Sequence, residues 1–486
     1  MSDILIDEEP KIVWRYFDKI RQIPHGSSNE RALGDAILLF AKEQGCIGKR
    51  DRVGNVVISV PPSPGSESAP TVVIQSHMDM VCEKDRDCDF DFSKDAIVLK
   101  RDGDWVSAHR TTLGADNGIG LAASLSLMEE KDLVHGPLEI LVTVEEETGL
   151  TGASALSEEV VSGRILLNVD TEDDGVFCVG CAGGLDTLTT LPLERVPVKK
   201  NLLAFELEVL GLRGGHSGVD IRRNPANAIV LAARVLKILI EKADAELSWF
   251  IGGDKHNAVP REAFASLLVL PSKEAAMFDL VTRMQVEFQE EFKEAEPNLR
   301  VTLTPAILPS TVLSATSAQT AIAATLAFPN GVLSLMRDMP EVVETSNNLA
   351  KIRCDETSMT FLLSSRSSIR AAKEGVAAKI ESVASLAGAR FERKGSYPGW
   401  KPNMASPLLQ RAKAVWKKAH NEEPKVEVIH AGLECGIIGE KLPGIDMISF
   451  GPTIQHPHSP LERVSISSVR RFYVFLKALV ADIALP

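Results

Sequence analysis

Two histidines, His77 and His458, and three groups of acids, Asp116, the run Glu145-Glu146-Glu147 and Asp170, are the residues of this chain that could do chemistry together. The apolar runs TVVIQS (71–76), LEILVTV (138–144) and RILLNV (164–169) read as buried strands, being β-branched and too short for helices. His77-Met78-Asp79, the three glutamates and Asp170 follow these runs directly. In an open α/β sheet, ligands bind in the crevice outside the carboxyl ends of the strands. Two neutral imidazoles and three carboxylates delivered to such a crevice suit a pair of divalent metal ions. Without cations the carboxylates would repel one another and shift their pKa values. The pattern points to a two-metal hydrolase site.

Each segment also has a plainer reading. Within QSHMDMV, His77 and Asp79 lie two apart, on the same side of an extended backbone. A carboxylate there can accept the spare N–H of a metal-bound imidazole, fixing its tautomer and raising its basicity. A core histidine beside a capping aspartate fits the same letters. In TTLGADNGIGLAASLSLM, Gly114, Gly118 and Gly120 let the backbone turn tightly between loop and helix, and Asp116 points from that turn. Its two oxygens could bridge two cations, whereas an Asx-turn or N-cap needs no metal. Three acids at a strand end can be a solvated edge. They can also divide labour, one ligating metal while a metal-free neighbour takes a proton from water. Which glutamate does which stays open from the residues alone. In LRGGHSGVD, His216 occupies a glycine-rich turn without the Lys-[Ser/Thr] ending of a phosphate loop, so nucleotide binding is not expected. That imidazole could donate to a developing oxyanion. His25, His109, His135 and His420 have no comparable context and read as surface or core residues.

An α/β framework has to carry these residues. Amphipathic helices at 12–23 and 29–44 lead into alternating strands and helices up to about 186, with PPSPGSESAP (61–70) as a surface loop. The same character returns from 398, with a helix over 406–420, strands at VEVIHA (426–431) and IDMISF (445–450), and a final helix from about 465. His458 lies in this tail, so the tail must return to the first segment's crevice. Residues 1–186 and 398–486 are therefore expected to form one domain, with 187–397 inserted. The insert runs β-α-β-β-α-β: FELEVLGL (205–212), a helix over 225–243, SWFIGG (248–253), EAFASLLVL (262–270), a helix over 273–295 and RVTLTPAI (300–307). A looser copy follows, with a helix at 315–328, two strands across 341–366, a helix at 369–387 and a strand at 389–396. The expected fold class is α/β, a central mainly parallel sheet flanked by helices, plus an inserted α+β domain of duplicated ferredoxin-like units.

At 486 residues the chain has room for about three domains of ~150 residues each. With 44% hydrophobic and 24% charged residues the composition is that of an ordinary globular protein. A formal net charge of -13 argues against a nucleic-acid partner, which would need a clustered basic surface. MSDILIDEEPKIVW carries acids where a secretory signal would carry basic residues, and no apolar run approaches the ~20 residues of a membrane span. Seven cysteines without an export signal suggest reduced thiols and a cytoplasmic setting. Cys178-Val-Gly-Cys181 has no second pair, so structural zinc and a redox motif are both weakly supported there.

Taken together, IPHGSSNE, SHMDMV, TTLGADNGIG, VHGPLE, EEETGLTGA, GCAGGLD, GGHSG, NAVPREAFA, GSYPGW, IHAGLECG and GPTIQHPHSP, in this order and over nearly the whole chain, resemble the co-catalytic zinc metallopeptidase clan of dipeptidases, aminoacylases and carboxypeptidase G. The resemblance implies a zinc-peptidase-like catalytic domain with an inserted lid. It implies hydrolysis of unblocked dipeptides, Xaa-His among them, by water activated between two divalent ions, zinc foremost and cobalt or manganese as substitutes. The clan's Glu-Glu-x-Gly falls on Glu146-Glu147-Thr148-Gly149, making Glu146 the general base and Glu147 a ligand. His77, Asp116, Asp170 and His458 are the other implied ligands, with Asp116 bridging and Asp79 orienting His77. His216, Asn257 and Arg366 fall on segments resembling those that meet substrate, Arg366 pairing the terminal carboxylate through its planar fork. A homodimer built through the lid is implied as well.

Departures from the clan's pattern are local. His109-Arg110 stands where Arg-Gly is usual, His256 replaces an arginine before Asn257, Arg222 replaces a histidine, and Leu461 replaces an acid beyond His458. None removes a ligand or the base, but three could alter charge near the lid-side pocket and so substrate preference. Two alternatives remain at this level: an aminoacylase of N-acyl amino acids, which would not require a free amine, and a non-catalytic scaffold, against which the full ligand set counts.

Overall fold

In the computed structural model, which describes residues 3–485, the chain divides into two compact units. One holds the chain up to Gly180 together with Trp400–Val428 and everything from Leu433 onward; the other holds Cys181–Gly399 with Ile429–Gly432.

The first unit is built on an eight-stranded sheet, in spatial order Ile47–Arg50, Val56–Val60, Leu138–Thr143, Val72–His77, Ile165–Asn168, Asp446–Ser449, Val176–Cys181 and Lys425–Ile429. Its four middle strands, Leu138–Thr143 to Asp446–Ser449, run parallel. Val56–Val60 and Val176–Cys181 pair antiparallel on either side of them. Every residue of Val72–His77 is buried, as a strand covered on both faces requires; Val72, Val73 and Ile74 are apolar, and the buried Gln75 that follows is hydrogen-bonded. Asp446–Ser449 lies in register with Ile165–Asn168, so the tail enters the middle of the sheet and carries His458 back with it. Behind the sheet, Phe177 stacks on Phe475 at 5.0 Å, with Trp416 and Phe450 edge-on to it. Truncating one of these rings to alanine would cost ~3–5 kcal/mol. Ser406 and Ser465 cap the helices Pro407–His420 and Ile466–Ile483, each accepting an N–H of the first turn.

The second unit carries a nine-stranded sheet. Leu203–Leu210, the helix Ala228–Ala243, Glu246–Gly252, Ala263–Val269, the helix Glu274–Glu291 and Arg300–Pro305 follow one another in sequence. In the sheet the four strands take the order fourth, first, third, second. A second set has the same order, made by Gly183–Pro192, Val343–Cys354, Ser358–Ser367 and Arg390–Tyr397. Its first strand precedes the whole of the first set in the chain. One repeat is thus nested inside the other, and the looser copy expected from helix 315–328 onward lacked its opening strand because that strand is far upstream. Two small additions were not expected: Gly331–Leu335 pairs with Val343–Cys354, and Arg195–Pro197 with Thr311–Leu313. Among the described residues no helix is long and apolar enough to cross a membrane.

Candidate metal centre

Three neighbouring parallel strands each deliver a donor at the carboxyl end. His77 is the last residue of Val72–His77, Asp170 follows Ile165–Asn168 by two residues, and Glu146 opens a helical turn three residues beyond Leu138–Thr143. Asp116 stands in the first turn of the helix Ala115–Ser126, where Gly114 adopts φ 70 and Asp116 itself stays non-helical at φ -81, ψ 110. His458 holds a left-handed φ of 58, uncommon for a non-glycine residue and typical of places where a side chain must be aimed.

The Asp116 carboxylate divides the cluster in two. Its Oδ1 lies 3.2 Å from His77 Nε2, which is also 3.3 Å from Asp170 Oδ1. Its Oδ2 lies 3.1 Å from His458 Nε2, which is 3.0 Å from Glu147 Oε2. His77-Asp116-Asp170 and Asp116-Glu147-His458 each bring their donor atoms within 4.8 Å of one another, and His77-Glu146-Glu147 makes a third such group. Glu147 Oε1 is buried without a hydrogen bond. Buried carboxylate oxygens left unpaired are expensive unless a cation meets them. The donor set fits two ions, each with one imidazole and shared carboxylates.

The charges give the same answer. Hydrogen bonds to Asp116 and Glu147 raise His458 to about 11, even against its partial burial. Burial opposes charge on His77, yet Asp170, Asp116 and Asp79 together raise it well above the usual histidine range. Burial pushes Asp170 up to about 6, while His458 and His77 hold Asp116 low in spite of its burial. Both histidine shifts favour positive charge on the imidazoles beside these carboxylates, charge that divalent ions would supply in their place. Burial also pushes Glu146 well above the usual glutamate range, with Asp170, Glu434 and Glu147 adding to it and His77 opposing.

Asp79 does more than the sequence suggested. His77 Nδ1 makes its hydrogen bond to the Asp79 backbone carbonyl at 3.0 Å, with the carboxylate Oδ1 at 3.4 Å. The carboxylate accepts the N–H groups of Glu146 and Glu147 at 3.0 and 3.2 Å and the Ser27 hydroxyl at 2.8 Å. It therefore fixes the glutamate turn as well as lying against the histidine. Glu145 turns away from the cluster: its side chain accepts from Ser28 Oγ at 2.8 Å, and its N–H donates to Glu30 at 3.0 Å.

Two buried acids were missed in the sequence. Glu434 Oε2 accepts from Gln75 Nε2 at 2.6 Å and Thr143 Oγ1 at 2.7 Å, and burial raises it to about 7. Glu462 accepts four successive backbone N–H groups at the Asp116 turn. Glu434 lay inside the IHAGLECG motif; nothing local marked Glu462 beyond its place four residues after His458. Cys178 and Cys181 are buried, form no disulfide, and join no metal-holding group among the described residues.

The second unit gathers a separate set. His216 Nδ1 accepts the N–H groups of Gly218 and Val219 at 3.3 and 3.1 Å, so the ring proton sits on Nε2, which is then a donor. Burial and the nearby Arg366 keep His216 below the usual histidine range. Arg366 is buried, donates from Nη1 to Tyr397 Oη at 2.9 Å, and has an Nε without a hydrogen bond. No carboxylate pairs with it among the described residues. His430, also unforeseen, bonds Ser346 through Nε2 at 2.8 Å and is lowered to about 4 by burial and Arg366. Asn257 is exposed; its carbonyl accepts the Ser217 N–H at 2.8 Å, tying its turn to that of His216. His256 faces Asp186 at 3.1 Å.

The sequence pattern of peptidase family M20/M25/M40 matches residues 73–482. The chain is 40% identical over 474 residues to a cytosol non-specific dipeptidase of Escherichia coli (strain K12), covering 98% of each chain. Its structure superposes on that of an aminoacylhistidine dipeptidase from Vibrio alginolyticus with a TM-score of 0.94 and 40% identity, covering 99% of this chain and 98% of that one. The aminopeptidase PepT of Bacillus cereus ATCC 10987 shares the fold at a TM-score of 0.57 and 16% identity, covering 98% and 100% of the two chains.

Proposed function

This chain belongs to peptidase family M20/M25/M40, and from that premise we propose that it is a metal-dependent dipeptidase acting on unblocked dipeptides, Xaa-His among them. The observation that carries the reading is the Asp116 carboxylate, whose two oxygens face two separate donor sets. His77, Asp116 and Asp170 would hold one ion and Asp116, Glu147 and His458 the other; zinc suits this mixed nitrogen and oxygen set, with cobalt or manganese as substitutes. Such ions, when bound, supply Lewis acidity that polarises a carbonyl and eases the deprotonation of water.

The chain's own groups do the rest. Glu146, absent from both three-residue donor sets that share Asp116, takes the proton of the attacking water and returns it to the leaving amine nitrogen. Its turn is held by Asp79 through the backbone, which leaves the carboxylate free for that work. His216 donates Nε2–H to the carbonyl oxygen as negative charge develops there. The buried Arg366 guanidinium pairs with the substrate's terminal carboxylate, and Asn257 on the adjoining turn meets the peptide.

Seven cysteines outside any disulfide and the cytosolic relative support a cytoplasmic setting. A homodimer through the inserted unit is supported by the outer strand Gly331–Leu335, which pairs on one side and exposes Leu333 and Leu335. Mixing inactive His216→Ala and Glu146→Gln proteins tests whether His216 serves the partner's site. Recovered activity puts it in trans; no recovery despite proven subunit exchange puts it in its own chain's site, and a monomer by light scattering removes the interface. The function itself is tested by metal analysis and a panel of dipeptides, tripeptides and N-acyl amino acids. Preference for free-amine dipeptides supports it, preference for N-acyl amino acids would make the enzyme an aminoacylase, and no hydrolysis with two ions bound would make it a scaffold.

A further inference from the structure

We propose that Glu462 is a positioning residue for the metal centre, the strut that holds the Asp116 turn so that each Asp116 oxygen meets its own donor set. The proposal rests on the two-metal reading above. Glu462 is 2% exposed. Its Oε2 accepts from Leu113 N at 2.7 Å and Gly114 N at 3.0 Å, and its Oε1 from Ala115 N at 2.8 Å and Asp116 N at 3.2 Å. These are N–H groups at the start of the helix Ala115–Ser126, where no intrahelical acceptor exists and Gly114 offers no side chain to cap them. A residue 346 positions away from Asp116 thus does what a local cap usually does.

Glu462 is anchored on the other side too. Its own N–H donates to Ser459 O at 3.0 Å, within the loop that carries His458, and the next residues, Arg463–Ser465, pair with Trp105–Ala108. One carboxylate therefore joins the His458 loop to the Asp116 turn, and the 3.1 Å approach of His458 Nε2 to Asp116 Oδ2 spans that join. Four bonds from two oxygens fix both the distance and the tilt of the turn. A bridging carboxylate tolerates little error, because each oxygen must reach its ion at ~2.0–2.2 Å. Glu462→Gln keeps the shape but sets an amide NH2 against backbone N–H groups; Glu462→Asp keeps the charge but shortens the reach.

The test strips the full-length parent and both variants of metal, titrates zinc against a chromophoric chelator, and records the visible absorption of the cobalt-loaded proteins. The parent is expected to take two ions. Both variants should bind them 10–100-fold more weakly, the range for losing a group that orients a ligand, with altered cobalt spectra. A variant whose metal-free form melts lower, yet which binds both ions as tightly as the parent with an unchanged spectrum, would show a plain helix cap and overturn the proposal. Should the variants fail to fold, hydrogen exchange on the metal-free parent decides. Protection of the 113–116 amides to the level of the helix interior supports the strut, and rapid exchange there refutes it. A parent that binds no metal would refute the two-metal reading instead.

Discussion

Replacing Glu146 by glutamine tests the proposed division between a general base and the metal ligands. The Glu146 backbone N–H, not its side chain, ties the turn to Asp79 at 3.0 Å, so an amide can replace the carboxylate without freeing the turn. Glu147 is different: its Oε2 sits 3.0 Å from His458 and its Oε1 is buried without a partner, as a metal ligand would be. Loss of a positioned general base costs ~10²–10⁴-fold in rate, roughly 3–5 kcal/mol at 1.36 kcal/mol per decade. Glu146→Gln should therefore lose about that factor in kcat while retaining two ions per chain, measured by dipeptide hydrolysis and by elemental analysis of the same preparation. Glu147→Gln should lose metal along with activity. Near-full activity in the first variant, or loss of both its ions, would mean that the roles of the two glutamates are reversed or shared.

Chelation should inactivate the enzyme reversibly, and reloading zinc near neutral pH should release roughly two protons, because His77 and His458 are held protonated by the surrounding carboxylates. Calorimetry in buffers of different ionisation enthalpy measures that number; zero would contradict the charge balance described. Glu434→Gln removes a negative neighbour that raises the Glu146 carboxyl, so the base form should persist to lower pH. The acid limb of kcat/KM then moves down; an unmoved or upward-moving limb would count against the coupling. Arg366→Ala should cost ~10–150-fold in kcat/KM, the ~1.5–3 kcal/mol of a charged hydrogen bond, and abolish discrimination between a dipeptide and its C-terminal amide. Equal discrimination before and after the change would take the carboxylate contact away from Arg366.

Much of the centre was legible because its signals are local. A strand buried on both faces is mostly apolar, so the positions of His77, Asp170 and the glutamate run could be read from where such runs give way to polar residues. Gly114 announced the turn at Asp116, since its φ of 70 favours glycine. The first ferredoxin-like repeat was visible because its elements are consecutive in the chain. The second was read incompletely because Gly183–Pro192 pairs with Ser358–Ser367 and Arg390–Tyr397 across the whole intervening repeat.

What strand patterns determined, then, was which residues stand at the ends of strands and that they are of metal-binding type. Tertiary structure decided how they face one another: Asp116 gives one oxygen to each side, Glu145 turns out to Ser28, and Asp79 holds the glutamate turn. It also brought Glu434 and Glu462 to the centre, across sequence separations of 359 residues to Gln75 and 346 to Asp116. The physical reason is that periodicity records burial, which each residue expresses in its own chemistry. A hydrogen bond between distant segments is set by sheet order and loop path, and neither partner's neighbours in the chain carry any trace of it.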